Sequence, residues 1–219
     1  MIDWAAESFK MPQPFKKVIF IVHEDQLQGK YNQRSLEDYL QKMLSRLGEH
    51  IFLVVQKHER KGAADSVALA RPYLEASESV AIWNCDQVCW RWNRQLPPDA
   101  DGWVLTFDEP ARNPKWSFAS IGADGYISRI AEKDPISDTA TVGAYFFRRA
   151  RDLFWAIDES VHWNERTNGE FYLAPCYNYL IKNGRKILPV NVESFEGIGT
   201  PEDVDLFCKN HNLPDWRTS

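Results

Sequence analysis

Hydrophobic and polar positions follow two different periods along this chain. A helical period is clearest over 35–47, where apolar residues recur every three or four positions between Ser35 and Gly48. Short apolar runs rich in β-branched residues, at 17–22 and 51–55, predict buried strands. Helix and strand alternate in this way as far as residue 83. Such alternation predicts right-handed βαβ units and a largely parallel sheet.

Beyond residue 86 the pattern changes to closely spaced strands. Two alternating runs flank Gly122-Ala123-Asp124-Gly125 and predict a hairpin over 116–130. Thr200 followed by Pro201 predicts the first turn of the last helix. Further strands are predicted at 80–83, 103–107, 141–147 and 186–192, and further helices at 1–10, 61–71, 149–160 and 168–183, with Trp90 and Trp92 in a loop. The predicted fold class is α/β, with a mixed, mostly parallel, Rossmann-like sheet flanked by helices in one domain over 1–219.

Composition and charge narrow the class of partner. Of the 219 residues, 44% are hydrophobic and 26% are charged, which suits a globular domain with a real core. The net charge of −5 provides no general field for nucleic acid or an anionic membrane, but local Lys and Arg side chains can still bind a small anionic substrate. No apolar run reaches membrane-spanning length, and the N-terminus lacks the apolar core of a signal peptide. The four cysteines lack metal-site spacing, so we expect reduced thiols and a cytoplasmic protein.

The run 79–87 carries the clearest candidate for chemistry. Its apolar part predicts a buried strand, and Asp86 follows directly after that strand. In open α/β sheets, ligands bind beyond the carboxyl ends of the strands, where a carboxylate can hold a divalent cation against phosphate oxygens. The structural alternative is that Asp86 only caps a turn, which is common for Asp. On local sequence alone the turn is the simpler interpretation.

Six segments, which follow one another over nearly the whole chain, together carry a resemblance to a known family. They are MIDWAAES, KGAADSVALA, WNCDQ, IAEKDP with VGAYFF, NGEFYLAPCYNYLIKNG and GIGTPEDVDLF. Together they resemble the sugar-phosphate nucleotidylyltransferases, which are pyrophosphorylase-type enzymes with a glycosyltransferase-A-like fold. The resemblance implies that a sugar-phosphate or similar phosphorylated alcohol attacks the α-phosphate of a nucleoside triphosphate and releases pyrophosphate. It also implies a role in nucleotide-sugar or polysaccharide biosynthesis.

The resemblance also assigns catalytic and nucleotide-binding roles. Asp86 would coordinate Mg²⁺, and Lys133 would pair with the acceptor phosphate as a point charge. Gly62 and Ala63 would let the planar base approach the backbone, because their side chains are absent or small. Glu132 and Lys133 come at the end of a predicted strand. The alternatives are a tight helix entry for Gly62 and Ala63, and a solvated Glu-Lys pair at the strand end for Glu132 and Lys133.

Three further residues would bind the acceptor. Glu132 and Glu170 would accept hydrogen bonds from sugar hydroxyls, and Gly143 would leave room for the sugar. The structural alternatives are a β-bulge at Gly143 and, for Glu170, an acid in the first turn of the predicted helix 168–183.

Two departures from the family pattern bear on activity. The glycine-rich phosphate loop of the family, with its basic residue and preceding strand, has no counterpart in this sequence, which starts at the helix that follows the loop. A truncated gene product, a degenerate homologue and a second chain that supplies the loop each explain this; we favour truncation and expect little or no transfer. The second family metal ligand, an Asp, corresponds to Gly197, and Glu196 or Glu193 could substitute.

Two other functional classes stay open. One is a non-catalytic nucleotide-binding or assembly protein that keeps the fold, and the other is a glycosyltransferase that uses a nucleotide-sugar. The second is weakened because Asp86 is followed by Gln87 and has no partner acid beside it. The base, the acceptor and the oligomeric state, including a homo-oligomer, are not determined by the sequence.

Overall fold

The computed structural model describes residues 2–8, 15–27, 48–93 and 99–214, together with Ser35, Leu36, Asp38 and Leu40. The helices are α1 (Ile2–Ser8), α2 (Glu24–Leu27), α3 (Ala63–Ala68), α4 (Ala150–His162), α5 (Tyr177–Lys182) and α6 (Pro201–Asn210), with single 3₁₀ turns at Arg71–Tyr73 and Ala174–Cys176. The strands are β1 (Phe15–His23), β2 (Gly48–Gln56), β3 (Val80–Trp83), β4 (Gln87–Trp92), β5 (Gly102–Asp108), β6 (Ser117–Ile121), β7 (Ile127–Glu132), β8 (Thr139–Phe147) and β9 (Ile187–Gly197). No helix in these ranges is long and apolar enough to cross a membrane.

The described strands form two sheets. β1 and β2 pair in parallel, and the larger sheet has the order β4-β9-β5-β8-β6-β7, with β3 also paired to β8. This confirms the α/β class with a mixed sheet flanked by helices. The prediction that the sheet is mostly parallel is wrong for the described strands. Among the described pairings, only β1–β2 and β5–β9 are parallel. The local pattern signals an antiparallel pair only for the hairpin β6–β7. Other antiparallel pairs, β3–β8, β5–β8 and β4–β9, join strands that are distant in the chain, so tertiary packing sets their direction.

The main core lies where α4 and α5 cover one face of the larger sheet. Leu153 and Ile157 lie one turn apart on α4 and are almost fully buried, as the helical period requires. Tyr177 of α5 stacks on Phe147 of β8 at 4.3 Å between ring centroids, and its hydroxyl donates to the carbonyl of Phe146. Each such side chain contributes about 1.5–3 kcal/mol through burial. Leu153→Ala would therefore leave a cavity and cost about 2–5 kcal/mol.

β1 and β3 contact the same core, although they belong to different sheets. Ile19 and Ile21 of β1 and Val80 and Ile82 of β3 all pack against the main cluster. The two sheets therefore share one apolar interior in the described part of the chain. The expected strand and loop ahead of residue 1 stay a prediction.

The predicted helix 168–183 is wrong in its first half. Residues 168–173 form a turn and an extended segment, and regular helix begins only at Tyr177. Asn168 and Gly169 have φ values of 50° and 84°, which a right-handed helix cannot contain. Pro175 lies at the start of the next turn, a 3₁₀ helix over Ala174–Cys176, where its missing N–H costs no hydrogen bond. Glu170 consequently lies in a turn instead of a helix.

Other elements follow the predictions with small differences. Trp90 and Trp92 belong to β4, which pairs with an extension of β9 beyond Val192, so the predicted loop is wrong. Burying their rings against this sheet explains the strand. The Ser35 hydroxyl accepts a hydrogen bond from the backbone N–H of Asp38 at 3.1 Å, which is the bond of a helix N-cap. The rest of the predicted helix 35–47, apart from the helical Leu36, Asp38 and Leu40, lies outside the described residues, as do the ends of the predicted helix 1–10.

Candidate active site

The turn between β3 and β4 presents Asp86 at the end of a strand. The backbone N–H of Asn84 donates to the carbonyl of Gly143 at 2.8 Å, and the N–H of Ile198 donates to the carbonyl of Asp86 at 2.7 Å. The Asp86 carboxylate itself receives no hydrogen bond from another residue in the described ranges. The backbone of Asp86 is thus fixed by neighbouring strands while its carboxylate stays available.

Asp86 is exposed and yet surrounded by protein. Burial raises the pKa of its carboxyl group, and the negative charge of Asp203 raises it further. Both observations hold together for a side chain whose oxygens reach water while many protein atoms lie nearby. The raised pKa makes the charged form of Asp86 costly, and a bound cation would lower that cost.

Two glycines separate Asp86 from Asp203. A Cβ atom added to Gly199 would lie 3.3 Å from Oδ2 of Asp86, and one added to Gly197 would lie 3.7 Å from Oδ2 of Asp203. Asp203 also completes a capping box, because its carboxylate accepts the backbone N–H of Thr200 while its own N–H donates to the Thr200 hydroxyl. Sequence reasoning missed Asp203 as a neighbour of Asp86, although the capping box itself was visible in the Thr-Pro-Glu-Asp run.

The two substitutes considered for the second metal ligand have other partners. Glu196 accepts hydrogen bonds from Trp90 and Asn210 and pairs with His211 at 2.6 Å. Burial opposes ionisation of Glu196, but these hydrogen bonds dominate and lower its pKa. Glu193 is an exposed residue that lies 3.8 Å from Arg91. Asp203 is therefore the acidic residue whose charge acts on Asp86.

The residues around Asp86 fit Mg²⁺ of the substrate-bridging kind. No group of three or more His, Cys, Asp or Glu side chains is placed to hold a metal within the described part of the chain. Mg²⁺ needs no such cage, since it commonly binds through one or two carboxylates, several waters and substrate phosphates. Asp86 offers one exposed carboxylate, on which the charge of Asp203 acts.

Gly143 lies directly against the Asp86 turn. A Cβ atom at this position would lie 2.2 Å from Nδ2 of Asn84, and the N–H of Gly143 donates to Oε1 of Gln87 at 2.7 Å. The pairing of β8 with β5 also shifts here, from Tyr145 opposite Val104 to Thr141 opposite Thr106. Close packing and a bulge therefore account for glycine at this position. Neither feature tests the predicted contact with a sugar.

Glu132 and Lys133 lie at the end of β7, as predicted. Lys133 has a φ of 54°, which is unusual for a residue with a side chain. Its ammonium group donates to the Tyr172 hydroxyl at 2.8 Å and lies 5.0 Å from the centre of the Tyr172 ring. Glu132 accepts a hydrogen bond from the Ser117 hydroxyl. Burial raises the pKa of Glu132, whereas the hydrogen bond to Tyr172 raises the pKa of Lys133.

Glu170 joins this group through a tight turn. Thr167 and Glu170 exchange two backbone hydrogen bonds of 3.0 Å, so the chain reverses immediately before Phe171 and Tyr172. The charge of Glu170 acts on Glu132, Lys133 and Tyr172, and it raises the pKa of each. The structure therefore brings Glu132, Lys133 and Glu170 together around Tyr172, a residue that sequence reasoning did not single out.

Gly62 and Ala63 are linked to the same segment. Gly62 has a φ of 115°, and a Cβ atom on it would lie 2.4 Å from the carbonyl oxygen of Phe171. The N–H of Ala64 donates to that oxygen at 3.1 Å, and the N–H of Phe171 donates to the carbonyl of Lys61 at 2.7 Å. Glycine is thus required here because two backbones touch. Ala63 is the first residue of α3 and is exposed.

The buried side chain of Tyr145 is affected by the charges of both groups of predicted site residues, the Asp86 turn and the group around Tyr172. The pKa of the Tyr145 hydroxyl is raised first by burial, then by the charge of Glu132, and more weakly by the charge of Asp86. Tyr145 lies on β8, whose bulge contacts the Asp86 turn and whose first half pairs with β6 beside β7. Asp86 and Glu132 therefore both act on the same side chain of β8.

No family model matches the chain, and no curated protein matches its sequence. Solved structures do match. A nucleoside-diphosphate-sugar pyrophosphorylase from Vibrio cholerae RC9 is 26% identical, with a TM-score of 0.73 over 95% of this chain and 85% of that one. A UDP-glucose pyrophosphorylase complexed with UDP-glucose is 15% identical, with a TM-score of 0.66 over 96% and 86%. The inositol-1-phosphate CTP transferase from T. maritima is 16% identical, with a TM-score of 0.66 over 92% and 78%.

The chain has a sugar-phosphate nucleotidylyltransferase-like fold. The fold-level expectation from the resemblance is therefore confirmed. The roles of individual residues in this nucleotidylyltransferase-like fold stay predictions, since no comparison tests them. The arrangement provides an available carboxylate at Asp86, which we call the metal end. It also provides the lysine, two carboxylates and tyrosine of the group around Tyr172, which we call the acceptor end.

Proposed function

We propose that this chain binds a nucleoside triphosphate and a sugar-phosphate-like acceptor for nucleotidylyl transfer. The proposal is supported chiefly by the match to the Vibrio cholerae pyrophosphorylase over 95% of the chain. The grouping of Glu132, Lys133 and Glu170 around Tyr172 adds a site with suitable chemistry for a phosphorylated, hydroxyl-rich acceptor. In the reaction, an oxygen of the acceptor phosphate forms a bond to the α-phosphorus, and the bond from that phosphorus to the pyrophosphate leaving group breaks.

In this proposal each residue has a separate task. Lys133 pairs with the acceptor phosphate, and its hydrogen bond to Tyr172 fixes the direction of the ammonium group. Glu132 and Glu170 accept hydrogen bonds from acceptor hydroxyls, and Gly143 leaves room for the sugar. The backbone at Gly62 and Ala63 lies beside the base. Asp86 holds Mg²⁺, which supplies positive charge to the phosphates when it is bound.

Calorimetry of the full chain tests nucleotide binding. We expect at least one of the four nucleoside triphosphates to bind in the presence of Mg²⁺, and Asp86→Ala to remove the metal dependence. Asp124→Ala is the matched control, because Asp124 is an exposed carboxylate in the β6–β7 turn, at the opposite end of that hairpin from Glu132.

The alternative outcomes discriminate between classes. If no nucleotide binds at any concentration tested, the transferase proposal fails and the assembly class gains. If a nucleotide-sugar binds with Mg²⁺ much more tightly than every triphosphate does, the glycosyltransferase class gains. A cytoplasmic location stays part of the proposal.

A further inference from the structure

A cavity lies along the outer edge of β7. β7 is the last strand of the larger sheet, and the segment 165–178 runs beside its outer edge. Between them is a cavity of about 270 Å³, whose lining includes Arg129, Glu132, Glu165, Arg166, Tyr172 and Asn178. Its volume is sufficient for a charged group and part of a sugar ring, but not for a whole nucleotide.

Asn178 forms the inner wall of this cavity and closes the strand edge. Its side-chain oxygen accepts the N–H of Ile130 at 2.9 Å, and its side-chain nitrogen donates to the carbonyl of Ile130 at 2.7 Å. These two bonds hold the amide of Asn178 against the backbone and leave it one N–H group. Charged recognition in the cavity must come from the other lining residues.

The two arginines have N–H groups left over. Arg129 is exposed and forms no ion pair or side-chain hydrogen bond within the described part of the chain. Arg166 is oriented by Asn164, which accepts from Nε at 2.8 Å, and by the carbonyl of Gly169, which accepts from Nη1 at 2.9 Å. Its guanidinium also lies 4.1 Å from the centre of the Phe171 ring. Arg166 is thus held in place with Nη2 available, which is a preorganised donor for an oxyanion.

One carboxylate of the lining, that of Glu132, accepts from the Ser117 hydroxyl. Glu165 also lines the cavity. The positive charge available to a ligand comes from the guanidinium groups of Arg129 and Arg166. A ligand that carries an anionic group fits these charge-assisted donors better than a neutral one.

The cavity adjoins the acceptor residues. Tyr172 lines it, and its hydroxyl accepts the hydrogen bond from Lys133. Glu132 likewise lines the cavity and directly precedes Lys133. A molecule whose phosphate pairs with Lys133 would extend past Tyr172 toward Arg166 and Arg129.

We propose that the acceptor carries a carboxylate at the end away from its phosphate, and that Arg129 and Arg166 bind this carboxylate. The acceptor class is then a phosphorylated sugar acid and not a neutral sugar phosphate. This inference rests on the proposed transfer reaction, because that reaction places the acceptor phosphate at Lys133.

Calorimetry with paired acceptors tests the proposal. The full chain is titrated with glucose 1-phosphate, glucuronic acid 1-phosphate and glucose 1,6-bisphosphate, with Mg²⁺ and α,β-methylene analogues of the four triphosphates present so that no transfer occurs. We expect glucuronic acid 1-phosphate to bind about tenfold more tightly than glucose 1-phosphate, the size of one charge-assisted hydrogen bond. We expect Arg129→Gln with Arg166→Gln to abolish most of that preference.

Arg151→Gln is the control for the loss of a positive charge elsewhere, because Arg151 is exposed on α4 and does not line the cavity. Equal affinity for glucose 1-phosphate and glucuronic acid 1-phosphate, or a preference that survives the double variant, overturns this inference alone. Tighter binding of the bisphosphate than of the sugar acid overturns the carboxylate assignment. If the triphosphate analogues and all three acceptors fail to bind, the proposed function itself fails.

Discussion

The two ends of the proposed site are constructed differently. At the acceptor end, side chains hold one another, since Lys133 donates to Tyr172 and Glu132 accepts from Ser117. At the metal end, the backbone is held instead, by Ile198 bonded to the carbonyl of Asp86 and by Asn84 bonded to Gly143. The carboxylate of Asp86 receives no hydrogen bond from any other described residue.

This difference corresponds to what each end would bind. An acceptor with hydroxyls in fixed directions is recognised best by side chains that are already oriented, because little entropy is then lost on binding. A cation that also binds water and phosphate oxygens requires only a carboxylate that is available and correctly placed. Substitutions at the acceptor end should therefore affect structure and acceptor affinity, and those at Asp86 should affect metal dependence.

The largest expected effect is on the framework of the acceptor end. Gly62→Ala places a Cβ atom 2.4 Å from the carbonyl oxygen of Phe171 at a φ of 115°. The contact atom and the unfavourable φ both belong to the backbone, which cannot move aside easily. We therefore expect a loss of about 3 kcal/mol or more in the free energy of unfolding, measured with urea. Gly125→Ala is the control, since its φ is 82° but no atom lies within 4 Å of the added Cβ, and about 1 kcal/mol is expected. Equal losses for the two variants would contradict the close contact.

Lys133→Met separates the two ends functionally. It removes the charge proposed for the acceptor phosphate, so we expect acceptor affinity to fall about tenfold or more in calorimetry. Mg²⁺-dependent nucleotide affinity should change much less. Lys186→Met is the control, because Lys186 also lies over a tyrosine ring, that of Tyr126, at 5.2 Å. A similar loss of nucleotide and acceptor affinity would show that Lys133 does not act on the acceptor alone.

Tyr172→Phe is a smaller change at the same end. The ring beneath Lys133 remains, but the hydroxyl that accepts its hydrogen bond is lost, so acceptor affinity should fall about twofold to fivefold. The matched control is Tyr126→Phe, which removes a hydroxyl bonded to Asp99 beneath Lys186. Wild-type acceptor affinity in Tyr172→Phe would mean that the hydrogen bond does not orient Lys133.

The smallest expected effect is a shift in pH dependence at the metal end. The charge of Asp203 is one cause of the raised pKa of Asp86, so Asp203→Asn should lower that pKa. Mg²⁺-dependent nucleotide binding requires ionised Asp86, and its loss on acidification should therefore occur at lower pH in the variant. Glu202→Gln is the control in the same first turn of α6. A profile that does not move, or moves to higher pH, contradicts the proposed coupling of the two carboxylates.

Local pattern predicted much of the fold. The β3 strand at Val80–Trp83, the hairpin around Gly122–Gly125 and the Thr200 cap all appear where the sequence places them. Each depends on residues that are close in the chain: an apolar run, a turn sequence or a hydroxyl three residues before its donor. The first half of the helix predicted over 168–183 is wrong. The prediction relied on apolar spacing and gave too little weight to two local signals against a helix start, Gly169 and Pro175.

The sequence by itself determined the class of fold, the position of Asp86 after a strand and the position of Lys133 at a strand end. Only the tertiary structure decided that Tyr172 meets Lys133, that Phe171 meets Gly62 and that Asp203 lies near Asp86. The physical reason is the distance along the chain between the residues that make each contact. Periodicity and capping arise from neighbours in the chain, whereas these contacts join distant segments through packing and strand order, which no single segment specifies.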